Sequence, residues 1–131
     1  MKEITFSIEN KVGKMADLCE QLSRSGINIK SMVSASDSVT KIHIITSDEE
    51  TTKNILEKKK IKYSVDEILA LRMPDRPGEL AKITRKLANA KIPVDFLYLI
   101  GKEGNDQIFA LKLKRMNDAK IVLKSFIGGI I

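Results

Sequence analysis

Asn10, Val12, Gly13 and Met15 stand between an alternating segment and a helically spaced one, and Asp75, Gly78 and Leu80 recur in the same setting further along the chain. Residues of these types suit binding more than bond breaking. A turn that ends in glycine lets backbone approach a ligand closely, because glycine has no Cβ. The helix that follows aims free N–H groups at the same spot, a natural seat for a carboxylate. Asn10, and Asn28 in a later segment, offer acceptors to an ammonium group and donors to a carboxylate, while Asp75 can pair with an ammonium. Val12, Met15 and Val33 suit a small or branched aliphatic ligand. Structural readings of the same residues stay open. Asparagine and aspartate are ordinary turn formers, the glycines can serve helix entry alone, and Asn28 can cap a strand.

Other chemistry finds little support. The chain has one cysteine, Cys19, and one histidine, His43, with neither a Cys-x-x-Cys nor a His-x-x-x-His spacing, so no metal site and no disulfide framework is expected. Cys19 shares a helical stripe with Met15, Leu18 and Leu22 and reads as a small core hydrophobe. His43 lies between Ile42 and Ile44, which turns it away from the helix-covered side and suggests a solvated or interfacial ring. The net charge of +6 raises the question of nucleic acid. Yet the cations are dispersed except for Lys58-Lys59-Lys60 at an expected helix end, where they complement the dipole. With 5 % aromatic residues there is no stacking surface for bases, and nucleic acid is not expected as a partner. No run of about 18 apolar residues offers a membrane span, and the opening MKEITFSIEN has no signal-like core, so a cytoplasmic protein without cofactor is the expectation.

The elements that would position these residues come twice. Among the 131 residues, a shift of 65 positions lays Ile4–Gly13 on Leu69–Gly78, then Met15 on Leu80, Leu22 on Leu87 and Ile29 on Val94. In the first copy Ile4, Phe6 and Ile8 alternate like a half-buried strand, helical spacing follows from Met15 to a stop at Gly26, and Ile27 opens a second strand. A hairpin over Ser34–Ser38 leads to a strand over Val39–Thr46, a helix capped by Asp48, and a short strand over Ile61–Val65. The second copy predicts strands over Ile68–Met73, Val94–Ile100, Gln107–Leu113 and Ile127–Ile131, helices over Gly78–Ala90 and Asn117–Lys124, and a hairpin at Gly101, Gly104 and Asn105. The order βαββαβ implies an α+β fold, two tandem ferredoxin-like repeats with antiparallel sheets and helices on one face. The boundaries are 1–66 and 67–131, with no linker between. Val94–Ile100 is apolar on both faces apart from Asp95, an edge that needs covering, so the sheets are expected to join edge to edge. Ile68, Ala70, Leu97 and Leu99 would then line a sticky face away from the helices and favour a homodimer.

The segment Asp75-Arg76-Pro77-Gly78-Glu79-Leu80-Ala81-Lys82-Ile83, with Leu87 and Ile92-Pro93-Val94, resembles the ACT-domain signature between its first and second strands. Glu9 to Ala16, followed by Leu22 to Ile29, resembles it again, and this first repeat is also similar to the ACT portion of acetolactate synthase regulatory subunits. The resemblance covers nearly the whole chain and implies a non-catalytic module that binds an amino acid, regulating a partner enzyme of amino-acid metabolism. In the serine-binding ACT domains of phosphoglycerate dehydrogenase, asparagines at the positions of Asn10 and Asn28 hold the ligand, whereas the second repeat has Asp75 and Pro93 there. Two alternatives remain. One is a dimerisation or docking scaffold without a ligand; the other is an acylphosphatase-like enzyme, for which no phosphate loop or base is in view.

Overall fold

Apolar residues at every second position fix the first strand. In the computed structural model, which describes residues 1–127, β1 (Lys2–Glu9) buries Ile4 and Phe6 on one side. Helix α1 (Lys14–Arg24) answers with Leu18 and Leu22, one turn apart, both buried. Asp17 in its first turn and Arg24 in its last suit the helix dipole, and Gly26 closes it at φ +74. β2 (Ile29–Ser36) and β3 (Val39–Thr46) form a hairpin that turns at Asp37-Ser38, a shorter turn than the pattern suggested. Asp48 caps α2 (Glu49–Lys58) as expected, accepting from the Thr51 N–H at 3.0 Å. The chain then adds β4 (Tyr63–Glu67), and the sheet order is β2-β3-β1-β4. Helices and sheet enclose a core of Ile4, Phe6, Leu22, Ile42, Ile44 and Leu56.

The second unit repeats the plan with β5 (Leu69–Pro74), α3 (Glu79–Asn89), β6 (Phe96–Glu103) and β7 (Asp106–Lys112), in the order β5-β7-β6. Leu71, Ile83, Leu87, Leu111 and Leu123 form its core. Helix α4 (Met116–Val122) is followed by a short α5 (Lys124–Ile127). Ile127, expected to open a final strand, therefore ends a helix, and the remainder of that expectation, residues 128–131, lies outside the described residues. The two compact units are Lys2–Asp66 and the residues from Glu67 onward together with Met1.

Register explains where other expectations change. Thr5 pairs with His43 and Ala70 with Ala110, so a shift of 65 positions at the first strand has become 67 at the third. One extra residue sits in an irregularity of β6 between Leu99 and Gly101, which puts Gly101 inside the strand and leaves Gly104 and Asn105 to make the turn. Leu97 pairs with Leu111, and Leu99 with Phe109, both on the helix side, because cross-strand partners share a face. Leu97 thus packs on the core and Leu99 is a half-exposed edge residue, while Phe96 and Tyr98 take the face shared with Ile68, Ala70, Ile108 and Ala110. The strands form two sheets, and β2 and β6 each lie at the end of one.

Candidate functional site

The two helix starts are near copies. Gly13 precedes α1 at φ 93, ψ −17, and Gly78 precedes α3 at φ 90, ψ −13, both in the left-handed region and both without a side-chain cap. A Cβ at either position would meet nothing within 4 Å, so conformation and not crowding demands glycine. The first bond into α1 runs from the Asp17 N–H to the Gly13 carbonyl at 2.9 Å, and the matching bond in α3 from Lys82 to Gly78 at 3.1 Å. Among the described residues nothing accepts from the N–H groups of Met15 and Ala16, or of Leu80 and Ala81. Each loop therefore presents a pair of open donors at the positive end of a helix. Val12 at the first loop's tip is fully exposed, Met15 is half-buried and Leu80 is 36 % exposed.

The loops differ in how they are tied down. Asn10 donates from Nδ2 to the Asp37 carbonyl at 2.8 Å, which pins the β1–α1 loop to the β2–β3 turn and leaves Oδ1 open. Asp75 donates from its backbone N–H to the Asn105 carbonyl at 3.0 Å, and its carboxylate takes the Lys102 ammonium at 2.7 Å. That carboxylate already has a cation, so it is poorly placed to receive a second.

Asn28 is not brought to this loop. Its N–H donates to Ser47 Oγ and its carbonyl accepts from the Ser47 N–H, both at 2.9 Å, just outside the end of β2 where Ile29 faces Thr46. Asn10 lies at the other end, where Ser36 faces Thr40 and Glu9 faces Val39. A rise of about 3.3 Å per residue along β2 separates the two asparagines by more than roughly 25 Å. One ligand cannot touch both within a single unit, and the reason is strand direction: Asn28 enters β2 at the end of the sheet that β1 has left.

Two groupings escaped the sequence. Glu79 is buried at the head of α3, bound by Arg76 Nε at 2.6 Å and Lys82 Nζ at 3.2 Å, and the neighbouring Arg76 holds its carboxyl below the usual carboxylate range. The spacing of Arg76 and Glu79 across the glycine was the available signal. His43 does face away from the helix side but is not solvated. It is 8 % exposed, with Nδ1 at 3.1 Å from Glu3 Oε1 and 3.2 Å from Thr5 Oγ1, and Glu3 is wholly buried. Its polar partners come from a strand remote in sequence, which no local pattern announces. Cys19 is half-buried, and no cluster of metal-ligating side chains occurs among the described residues. Among them no helix is long and apolar enough to cross a membrane.

A family model described as an ACT domain pair matches residues 1–126. The chain belongs to that family. The fold of this ACT pair is also found in a protein of Bacteroides thetaiotaomicron, at TM-score 0.86 and 22 % identity, over 95 % of this chain and 86 % of that one. The ligand-free regulatory subunit of aspartate kinase from Thermus thermophilus aligns at TM-score 0.66 and 12 % identity, over 95 % and 91 % of the two chains. A structure of aspartokinase alpha and beta subunits aligns at TM-score 0.61 and 18 % identity, over 95 % and 90 %. At these identities the likeness is one of fold. No curated protein matches the sequence.

Proposed function

We propose that this ACT pair is a non-catalytic sensor that binds a free amino acid and regulates a partner enzyme of amino-acid metabolism in the cytoplasm. The observation that carries this reading is the glycine-capped start of α1, with the N–H groups of Met15 and Ala16 left open beside an exposed loop. A ligand carboxylate takes those two donors, and its ammonium takes Asn10 Oδ1, which the bond to Asp37 holds in place. The ligand side chain lies towards Val12 and Met15. Asn28, at the far end of its own sheet, contributes only from another copy of the unit, so the complete site is that of a homodimer. Repeats 1–66 and 67–131 act as separate units in this scheme. The second is the weaker site, because Lys102 occupies Asp75.

The test is a melting series with each of the twenty amino acids. A ligand at about 100 times its dissociation constant adds roughly 2.7 kcal/mol of stability. One amino acid is expected to raise Tm, and Asn10→Ala is expected to abolish most of that rise. No rise with any of them, or a rise unchanged by Asn10→Ala, removes the loop from the site. A docking scaffold without a ligand is the second reading, favoured by β6, which ends its sheet with Leu99 46 % exposed. It predicts a stable dimer and no shift in the same series.

A further inference from the structure

The first unit contains another concavity, beside the loop just described. A cleft of about 790 Å³ is lined by Thr5 through Glu9 of β1, the start of α1, and residues 59–64 between α2 and β4. Consecutive residues of a strand point to opposite faces. A hollow lined by all of Thr5, Phe6, Ser7, Ile8 and Glu9 therefore follows the strand's edge. β1 has eight residues and β4, its neighbour on that side, has five, which leaves part of that edge uncovered.

The charge of the lining is one-sided. Lys14, Lys41, Lys59, Lys60 and Lys62 line the cleft, against the carboxylates of Glu9 and Asp17. Glu9 is already paired with Lys11 at 2.9 Å, and Lys14 stands 4.0 Å from it. Lys41, Lys59, Lys60 and Lys62 make no ion pair among the described residues. Complementing the dipole of α2 accounts for cations at its last turn. It does not account for Lys41, which comes from β3, or Lys62, which lies beyond the turn. Ile8, Ile61 and Tyr63, all partly exposed, supply apolar surface in the same hollow.

We propose that this cleft binds a phosphate-bearing metabolite of about nucleotide size. Four lysines without an ion pair among the described residues, set around one hollow, suit a multiply charged anion better than a single carboxylate, and lysine holds phosphate as a compact point charge without a fixed geometry. The volume falls within the range of roughly 300–1,000 Å³ typical of small-molecule sites. The phosphates lie among Lys41, Lys59, Lys60 and Lys62, and the apolar part of the ligand rests on Ile8 and Tyr63. None of Asn10, Val12, Gly13 and Met15 lines the cleft, so the site stands apart from the amino-acid reading.

Calorimetric titration of the full chain with ATP and with sodium tripolyphosphate, at about 0.15 M salt to screen loose surface attraction, tests it. Both are expected to bind, ATP more tightly, and Lys59→Ala with Lys62→Ala is expected to weaken both by about tenfold or more. Lys60 sits at φ +58 and Lys91 at φ +57, the left-handed region where glycine is unstrained. Lys60→Gly is thus expected to raise Tm and still lose affinity, while Lys91→Gly raises Tm and leaves affinity unchanged. A purely structural Lys60 would move Tm alone. Absence of binding to both compounds overturns the proposal, as does equal weakening by Lys86→Ala with Lys120→Ala in the second unit. Binding of an oligoglutamate peptide but of neither phosphate compound also overturns it and reassigns the cleft to an acidic strand.

Discussion

The two sheets solve one problem with opposite chemistry. On the face away from the helices, the first carries Glu3, Thr5 and His43 in mutual hydrogen bonds. The second carries Ile68, Ala70 and Ala110 at the matching places. Glu3 is wholly buried and His43 is 8 % exposed, much as Ile68 is at 3 % and Ala70 at 3 %. Burial is therefore equal, and composition is not. Buried polar side chains are tolerated when they satisfy one another, and no buried side-chain nitrogen or oxygen among the described residues lacks a partner. The backbone plan tolerates either solution, but the polar one depends on register. A one-residue slip of β1 against β3 would part Thr5 from His43, whereas the aliphatic face has no such directional bonds to lose.

The largest test of the comparison asks whether the units are equivalent on the helix side. Leu22 and Leu87, each 1 % exposed, hold matching places in α1 and α3. Alanine at either is expected to cost about 2–5 kcal/mol in urea unfolding. A cost at one site alone would mean that only one of these cores supports the fold. The next separates the two sheet faces. His43→Ala strips the buried Glu3 carboxylate of a partner and is expected to cost about 1–3 kcal/mol. Adding Glu3→Ile copies the second sheet into the first and should recover part of that loss. A double variant no more stable than the single one would show that the carboxylate's partner is not what His43 supplies.

Smaller effects belong to the helix starts. Asp48 accepts from both the N–H and the hydroxyl of Thr51, whereas Arg115, at the same place before α4, makes no side-chain cap. Asp48→Ala is expected to cost about 1 kcal/mol in the same unfolding measurement. Glu79 gives the smallest effect, and it is read through pH. Its carboxyl titrates below the ordinary value of 4.5 because Arg76 and Lys82 favour the charged form. A group with a depressed folded-state pKa contributes stability above the unfolded value and loses it as pH falls through the folded one. Melting temperatures of the native chain should therefore drop more steeply below about pH 4.5 than those of Glu79→Gln. Parallel curves would mean that the Arg76–Glu79 contact contributes nothing to folding.

Several elements were legible because their causes are local. Alternation at Ile4, Phe6 and Ile8, the spacing of Leu18 and Leu22, the stop at Gly26 and the cap at Asp48 each act within a few residues, and the structure realises all of them. Their recurrence at Leu69 to Gly78 declared the duplication, and the apolar period chose the α+β plan. Gly13 and Gly78 announced turns, since only glycine takes φ near +90° without strain.

Tertiary structure decided what depends on pairing between distant segments. An irregularity at Leu99 and Gly101 set which face Leu97 joins. Strand direction sent Asn10 and Asn28 to opposite ends of one sheet, although the motif presents them as a pair. The burial of Glu3 with His43, and the gathering of Lys41 with Lys59, Lys60 and Lys62 along the edge of β1, join residues far apart in the chain. Sequence period fixes what one element buries; hydrogen-bonded register between elements fixes which side chains meet, and no single segment encodes that meeting.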